Sequence, residues 1–245
     1  LALDRHAARA TAGRRVIAVP RLPRIANFDD LDPLMAEPNV AVAMIEPGQP
    51  LPQSADLIVI AGSKATRADL EALRDAGWDI DIAAHVRAGK PVLGICGGFQ
   101  MLGRTIADPL GIEGEPGTSR GLGLLEVDTV LTEVKQLRIE RARHVASGAA
   151  IEGYRMHMGE TSGPDCARPF AMVDGAAEGA SNALVSGTYL HGVFASDAFR
   201  QSFLNGAADP GLAYDATVEA ALEGLAAGLA RHLDLDQVLS LAAEA

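Results

Sequence analysis

Four short apolar runs punctuate the first part of the chain: RVIAV from Arg15, VAVAMIE from Val40, DLIVIAG from Asp56 and PVLGIC from Pro91. Each is continuously rather than alternately hydrophobic, the pattern of strands covered on both faces in a parallel sheet. Stretches of helical period lie between them. SKATRADLEALRDAGW sets Leu70 and Leu73 on one face; DIDIAAHVRAG sets Ile82, Ala83 and Val86 on another and ends at Gly89, a C-cap residue. Strand and helix alternate, so the expected fold is α/β with a doubly wound, mostly parallel sheet.

After residue 105 or so the pattern changes. GLGLLEVDTVL and GAAIEGYRMHMGET read as partly alternating strands, expected to extend the sheet in antiparallel fashion. NALVSGTYLHGVF is an apolar strand running out to a His-Gly turn, and SDAFRQSFLNGA is a short helix with Ser196 as its N-cap. From Thr217 onward Ala and Leu dominate, and Val218, Leu222, Leu225, Leu229 and Leu233 form one helical stripe. Such a stripe is expected to pack on its own domain or on a partner. With no repeat and no low-complexity tract, residues 15–245 read as one domain behind an Arg/Ala-rich opening, residues 1–14.

Composition narrows the function classes. Of 245 residues, 32 are Asp or Glu and 21 are Lys or Arg, giving a net charge of −11. That balance argues against nucleic acid or an anionic membrane surface as partner, because both are bound through clustered basic residues. The two cysteines, Cys96 and Cys166, are too few for a disulfide framework or a zinc cluster. No apolar run approaches the roughly 18 residues of a membrane span, and the opening lacks a secretory apolar stretch, so a cytoplasmic location is expected. The chain starts at Leu1 rather than Met, and is read as a piece of something longer.

Chemistry concentrates in PVLGICGGFQMLG, Pro91 to Gly103. A strand, then Gly94-Ile95-Cys96-Gly97-Gly98, then a helix-forming run is the nucleophile-elbow layout with Cys in the nucleophile position. Small residues must flank Cys96, because larger side chains would clash with sheet and helix, and the helix N-terminus favours a thiolate and a developing oxyanion. Of the six histidines, His191 at the strand end in GTYLHGVF is the favoured proton carrier. His157 in GYRMHMGET is its competitor; His6, His85, His144 and His232 read as surface or structural residues. The turn at Gly62-Ser63, after the strand over 57–61, can supply a backbone oxyanion donor in the crevice outside the strand ends, or simply cap the following helix.

GICGGFQMLG, GSKATRADL and GTYLHGVF resemble the class I, triad-type glutamine amidotransferase domain in its cobyric acid synthase and cobyrinate diamide synthase branch. VPRLPRIANFDDLDPL, residues 19–34, and GYRMHMGET, residues 153–161, add to the resemblance, which runs from Arg15 to about Leu204. It implies a flavodoxin-like fold and glutamine hydrolysis, with Cys96 attacking the side-chain amide, Gly62 and Gly97 N–H groups holding the oxyanion, and His191 protonating the ammonia. Ser63, Gln100 and Tyr189 are expected near the glutamine. The resemblance also implies an N-terminal ATP- and Mg-dependent synthetase domain that uses the ammonia to amidate corrin-ring carboxylates, from adenosylcobyrinic acid a,c-diamide to adenosylcobyric acid. That partner is absent from these residues, as is any G-x-x-x-x-G-K-[ST] loop, so no cofactor and no metal are expected in this chain.

Three positions depart from the branch. Val193 stands where most class I domains carry a Glu that orients the His, leaving Glu160 as a candidate for that role. Arg155 replaces an acidic residue, and Ala61 a proline. Two other readings stay open: a standalone subunit serving a separate ligase on another acid, such as a cell-wall precursor, and a non-catalytic partner-binding domain.

Overall fold

The computed structural model describes residues 13–133 and 136–234, with 237 and 240. Most of the 1–14 opening lies outside the described residues. The chain falls into two units, Leu1–Asp209 and Pro210–Ala245, within the range expected to form one domain.

The first unit is built on a six-stranded sheet in the order Ala180–Ser181, Val185–Thr188, Val92–Ile95, Leu57–Ile60, Arg15–Pro20, Val40–Ile45. All neighbours are parallel except the Ala180–Ser181 edge. Numbered along the chain, the five parallel strands run 5-4-3-1-2 across the sheet, the flavodoxin-like order. The continuous apolar runs are explained by burial on both faces. Ile58 and Ile60 join one apolar cluster with Leu70, Leu73, Trp78 and Phe99, while Leu57 and Val59 join another with Phe194 and Phe199. Helices Thr66–Asp75 and Trp78–Arg87 bury Leu70, Leu73 and Ile82 as their spacing requires, and Gly89 follows the second with φ +77°.

The later strands do not extend this sheet in antiparallel fashion as expected, beyond its two-residue edge, and one pair of them, Thr105–Asp108 with Asp128–Val130, is itself parallel. They form two sheets of their own: Ala176–Glu178, Ala171–Val173, Gln136–His144, Ala150–His157, Leu190–His191, and Glu160–Ser162, Asp128–Val130, Thr105–Asp108, Gly117–Arg120. The chain leaves the main sheet at Thr188 and joins the first of these at Leu190, so His191 sits at the junction. Two histidines read as surface or structural take the structural alternative. His85 is buried, with Nε2 3.1 Å from the Pro91 carbonyl, and the half-buried His144 ring packs on Phe170 and Phe199.

Ser196 precedes the helix Asp197–Phe203, but its hydroxyl accepts from Glu152 N–H at 2.9 Å instead of capping that helix. In the second unit, the helix Tyr214–His232 buries no residue, and the stripe expected to pack is exposed, Leu225 by 59%. Among the described residues no helix is long and apolar enough to cross a membrane.

The elbow is packed backbone to backbone. A Cβ on Gly98 would lie 2.0 Å from the Ile60 carbonyl oxygen, and one on Gly94 would lie 2.6 Å from Gly98. Gly98→Ala is therefore expected to destabilise the first unit by about 3 kcal/mol, whereas Gly224→Ala, in open space on an exposed helix, should stabilise by about 0.5–1 kcal/mol. Urea unfolding of both variants checks the contrast.

Candidate active site

Cys96 ends the Val92–Ile95 strand with φ 53° and ψ −111°, an unfavourable backbone for a residue with a Cβ, and the helix Gly97–Leu102 starts directly after it. The thiol opens into a cavity of about 340 Å³ lined by Asn27, Gly62, Ser63, Gln100, Glu113 and His157, among others. This cavity lies at the carboxyl end of the sheet, where the loops after Arg15–Pro20 and Leu57–Ile60 diverge at the switch in strand order. Those loops pair with each other as a two-residue antiparallel ladder, Ile25 with Ser63 and Ala26 with Gly62.

The ladder decides which backbone donor is free. Lys64 N–H donates to the Arg24 carbonyl at 3.0 Å, and antiparallel alternation then directs Gly62 N–H to Ala26 and turns Ser63 N–H the other way. Ser63 N lies 2.9 Å from where a Gly97 Cβ would be. Ser63 N–H, rather than the expected Gly62 N–H, is thus the group that adjoins Gly97. The Ser63 hydroxyl is occupied, donating to Asp69 at 2.7 Å.

His191 is fully buried, and Asp30 Oδ2 accepts from its Nδ1 at 2.7 Å. The other Asp30 oxygen accepts from Gly192 N–H at 2.6 Å. The carboxylate therefore comes from the short 3-10 turn Phe28–Leu31, not from Glu160, which is exposed and lines a different cavity, nor from Val193, which is buried in an apolar cluster. Burial pulls the His191 pKa down, but hydrogen bonds and charge attraction from Asp30 and Cys96 outweigh it and push His191 up to about 10. The Tyr154 ring stacks on the imidazole with centroids 5.1 Å apart.

His157, the competing base, is held neutral: burial first, then the Arg155 and His191 charges, push it down to about 4. Its ring stacks on Tyr189 at 3.8 Å. Tyr189 stands behind Gln100 instead of lining the Cys96 cavity; Gln100 Nε2 donates to its hydroxyl at 3.2 Å and to the Met158 carbonyl at 3.1 Å. Arg155 and the buried Glu178 line the neighbouring cavity together, so the reversed charge meets an acidic group. Cys166 also lines that cavity, and burial pushes its thiol up.

Sequence reasoning missed Asp30, Asn27 and Glu113. Glu113 Oε2 accepts from Arg67 N–H at 3.2 Å, while the Thr66 hydroxyl stands 3.1 Å from Glu113 Oε1 and 3.2 Å from Gln100 Oε1. Burial pushes the Glu113 pKa up, so a bound cation would relieve it. Among the described residues, no group of His, Cys, Asp and Glu is arranged to hold a metal ion.

Residues 16–199 match the model of the CobB/CobQ-like glutamine amidotransferase domain. A cobyric acid synthase of Rhodobacter capsulatus is 57% identical over 245 residues, covering 98% of this chain and 51% of the relative. One from Methylobacterium nodulans is 55% identical over 239 residues, covering 96% and 49%. The chain thus spans about half the length of the curated relatives it matches. In fold it is similar to PurLQS from Thermotoga maritima, with a TM-score of 0.60 at 18% identity over 78% of this chain and 98% of that one. A glutamine amidotransferase from the same organism superposes with a TM-score of 0.50 at 16% identity, over 73% and 76%.

Asp30→Asn removes the charge that holds the proton on His191. In the wild type, NMR of labelled histidine should show the His191 imidazole protonated through neutral pH and titrating near 10; in Asp30→Asn the titration should move to lower pH.

Proposed function

The chain belongs to the family of CobB/CobQ-like glutamine amidotransferase domains, and we propose that Cys96, His191 and Asp30 together hydrolyse the side-chain amide of glutamine. The observation that carries this reading is the buried Asp30–His191 hydrogen bond, 2.7 Å long, beside a cysteine held at positive φ on an elbow. A carboxylate at Nδ1 fixes the tautomer and leaves Nε2 to exchange protons with the thiol and the leaving group.

In this mechanism the proton shared by Cys96 and His191 already rests on His191, and Sγ attacks the glutamine Cδ as the thiolate. The N–H groups of Gly97 and Ser63 hold the oxyanion. The C–N bond breaks as the nitrogen takes the proton from Nε2, leaving ammonia and a glutamyl thioester. Water, deprotonated by the now neutral His191, cleaves the thioester to glutamate and restores the pair of thiolate and protonated imidazole. Gln100 and Glu113 also line the cavity, and in this reading the Glu113 carboxylate receives the α-ammonium of the substrate.

The half-length match to cobyric acid synthases supports a further step. The ammonia serves a synthetase half that binds ATP and Mg and amidates corrin carboxylates, converting adenosylcobyrinic acid a,c-diamide to adenosylcobyric acid. This reading makes the chain a working part of cobalamin synthesis in the cytoplasm.

Treatment with 6-diazo-5-oxo-L-norleucine followed by peptide mapping tests the site. Labelling is expected at Cys96 and not at Cys166, glutamine should block it, and Cys96→Ala should abolish ammonia release. Unprotected labelling at Cys166 alone would contradict the reading. Glu113→Gln should raise KM for glutamine about 10- to 100-fold with a smaller change in kcat, as loss of a charged hydrogen bond to the substrate requires.

A further inference from the structure

Asn27 makes a contact that neither the fold nor the proposed mechanism requires. It precedes the 3-10 turn Phe28–Leu31 in a left-handed conformation, φ 51° and ψ 41°, where an Asn side chain ordinarily caps the turn; here it makes no cap hydrogen bond. Asn27 instead lines the cavity next to Cys96. Nδ2 lies 3.1 Å from His191 Nε2 and 3.4 Å from Nδ1. Asp30 already orients the ring from Nδ1, so a second polar group at Nε2 adds nothing to its placement. The nearly equal distances of Asn27 Nδ2 to the two ring nitrogens set it over the imidazole face, on the side nearer Nε2, the nitrogen that must exchange protons with the reacting atoms.

The group placed there is a carboxamide, the same chemistry as the bond that is cleaved. When glutamine is bound, its amide nitrogen has to approach Nε2 beside Asn27. We propose that Asn27 holds the departing nitrogen, its side-chain carbonyl accepting an N–H of the substrate amide and aiming that nitrogen at His191 Nε2. A half-turn of the Asn27 carboxamide presents Oδ1 in place of Nδ2. As the Sγ–Cδ bond is already formed, the Cδ–N bond breaks, the Nε2 proton moves to the nitrogen and neutral ammonia leaves. Asn27 itself neither gains nor loses a proton. The contact is worth most as the nitrogen becomes basic and needs a fixed orientation, so it acts on the acylation step rather than on binding.

Position 27 is also well placed for the role because its backbone is tied to the oxyanion loop. Ala26 pairs with Gly62, and a Cβ on Gly62 would lie 3.2 Å from the Ala26 carbonyl, 3.5 Å from His191 Cε1 and 3.7 Å from Cys96 Cβ. Asn27 therefore keeps its distance to thiol, imidazole and oxyanion donors together.

The proposal rests on the glutaminase reading, and the test separates the two. Asn27→Gly removes the carboxamide while leaving the left-handed backbone unstrained. Single-turnover acylation of Cys96 is measured with glutamine and with the γ-p-nitrophenyl ester of glutamate, whose phenolate leaves without being protonated. Asn27→Gly is expected to slow acylation by glutamine at least tenfold and to leave acylation by the ester at the wild-type rate. Equal slowing with both substrates, the mark of a structural role, overturns the proposal, as does no slowing with either. A wild-type chain that reacts with neither substrate overturns the glutaminase reading and this proposal with it.

Discussion

The Asp30 carboxylate takes the Nδ1 proton of His191 with one oxygen and the Gly192 N–H with the other, across 161 residues of chain and with both side chains out of water. Burying two ionisable groups costs several kcal/mol each, offset only if their geometry and remaining hydrogen bonds are satisfied, and removing one partner typically costs about 3–5 kcal/mol. This contact therefore constrains more than a side chain. The 3-10 turn over 28–31 and the turn after His191 must close on each other for the first unit to be stable, and when they do, the imidazole faces Cys96.

A second buried carboxylate repeats the arrangement a few residues on. Glu37 Oε1 accepts from Arg200 Nε at 2.6 Å, and the same guanidinium donates to the Phe194 carbonyl at 2.7 Å. Both acids come from one stretch of chain, 28–37, and both grip the segment that starts at His191. On the other side that stretch continues into Ile25–Ala26, which pairs with the Gly62–Ser63 turn. One loop thus ties down His191, supplies the carboxylate at its Nδ1 and pairs with the Gly62–Ser63 turn. A mechanism that needs thiol, imidazole and N–H donors in register gains from having them tied to a common element.

The elbow around Cys96 was legible in the sequence because its constraint is local. The Gly94, Gly97 and Gly98 flanks of Cys96 answer a strand-to-helix contact within a few residues, and the continuous apolar runs answer burial on both sheet faces. His191 was legible as a strand end next to a glycine. Asp30 was not, although NFDD lay in a segment already marked by resemblance, because nothing near it in sequence says that its partner is 161 residues away. With Val193 where most class I domains carry the orienting Glu, no local spacing points to the carboxylate, and Glu160, the candidate named for the role, is exposed. Gly62 N–H was expected as a donor from the resemblance alone; which N–H of the Gly62–Ser63 turn is free depends on its pairing with Ile25–Ala26, which the sequence does not reveal. The 218–233 stripe falls on the helix Tyr214–His232, and its apolar positions are exposed in this chain; helical spacing says nothing about what covers them.

The central claim is that the acid of this site is supplied by the loop over 28–31. Steady-state glutamine hydrolysis by Asp30→Asn, with Glu160→Gln alongside, tests it most directly. Asp30→Asn keeps the shape and loses the charge, so kcat should fall by about 10²- to 10⁴-fold with KM little changed, while Glu160→Gln should behave as wild type. Wild-type turnover by Asp30→Asn, or a comparable loss in Glu160→Gln, would contradict the account.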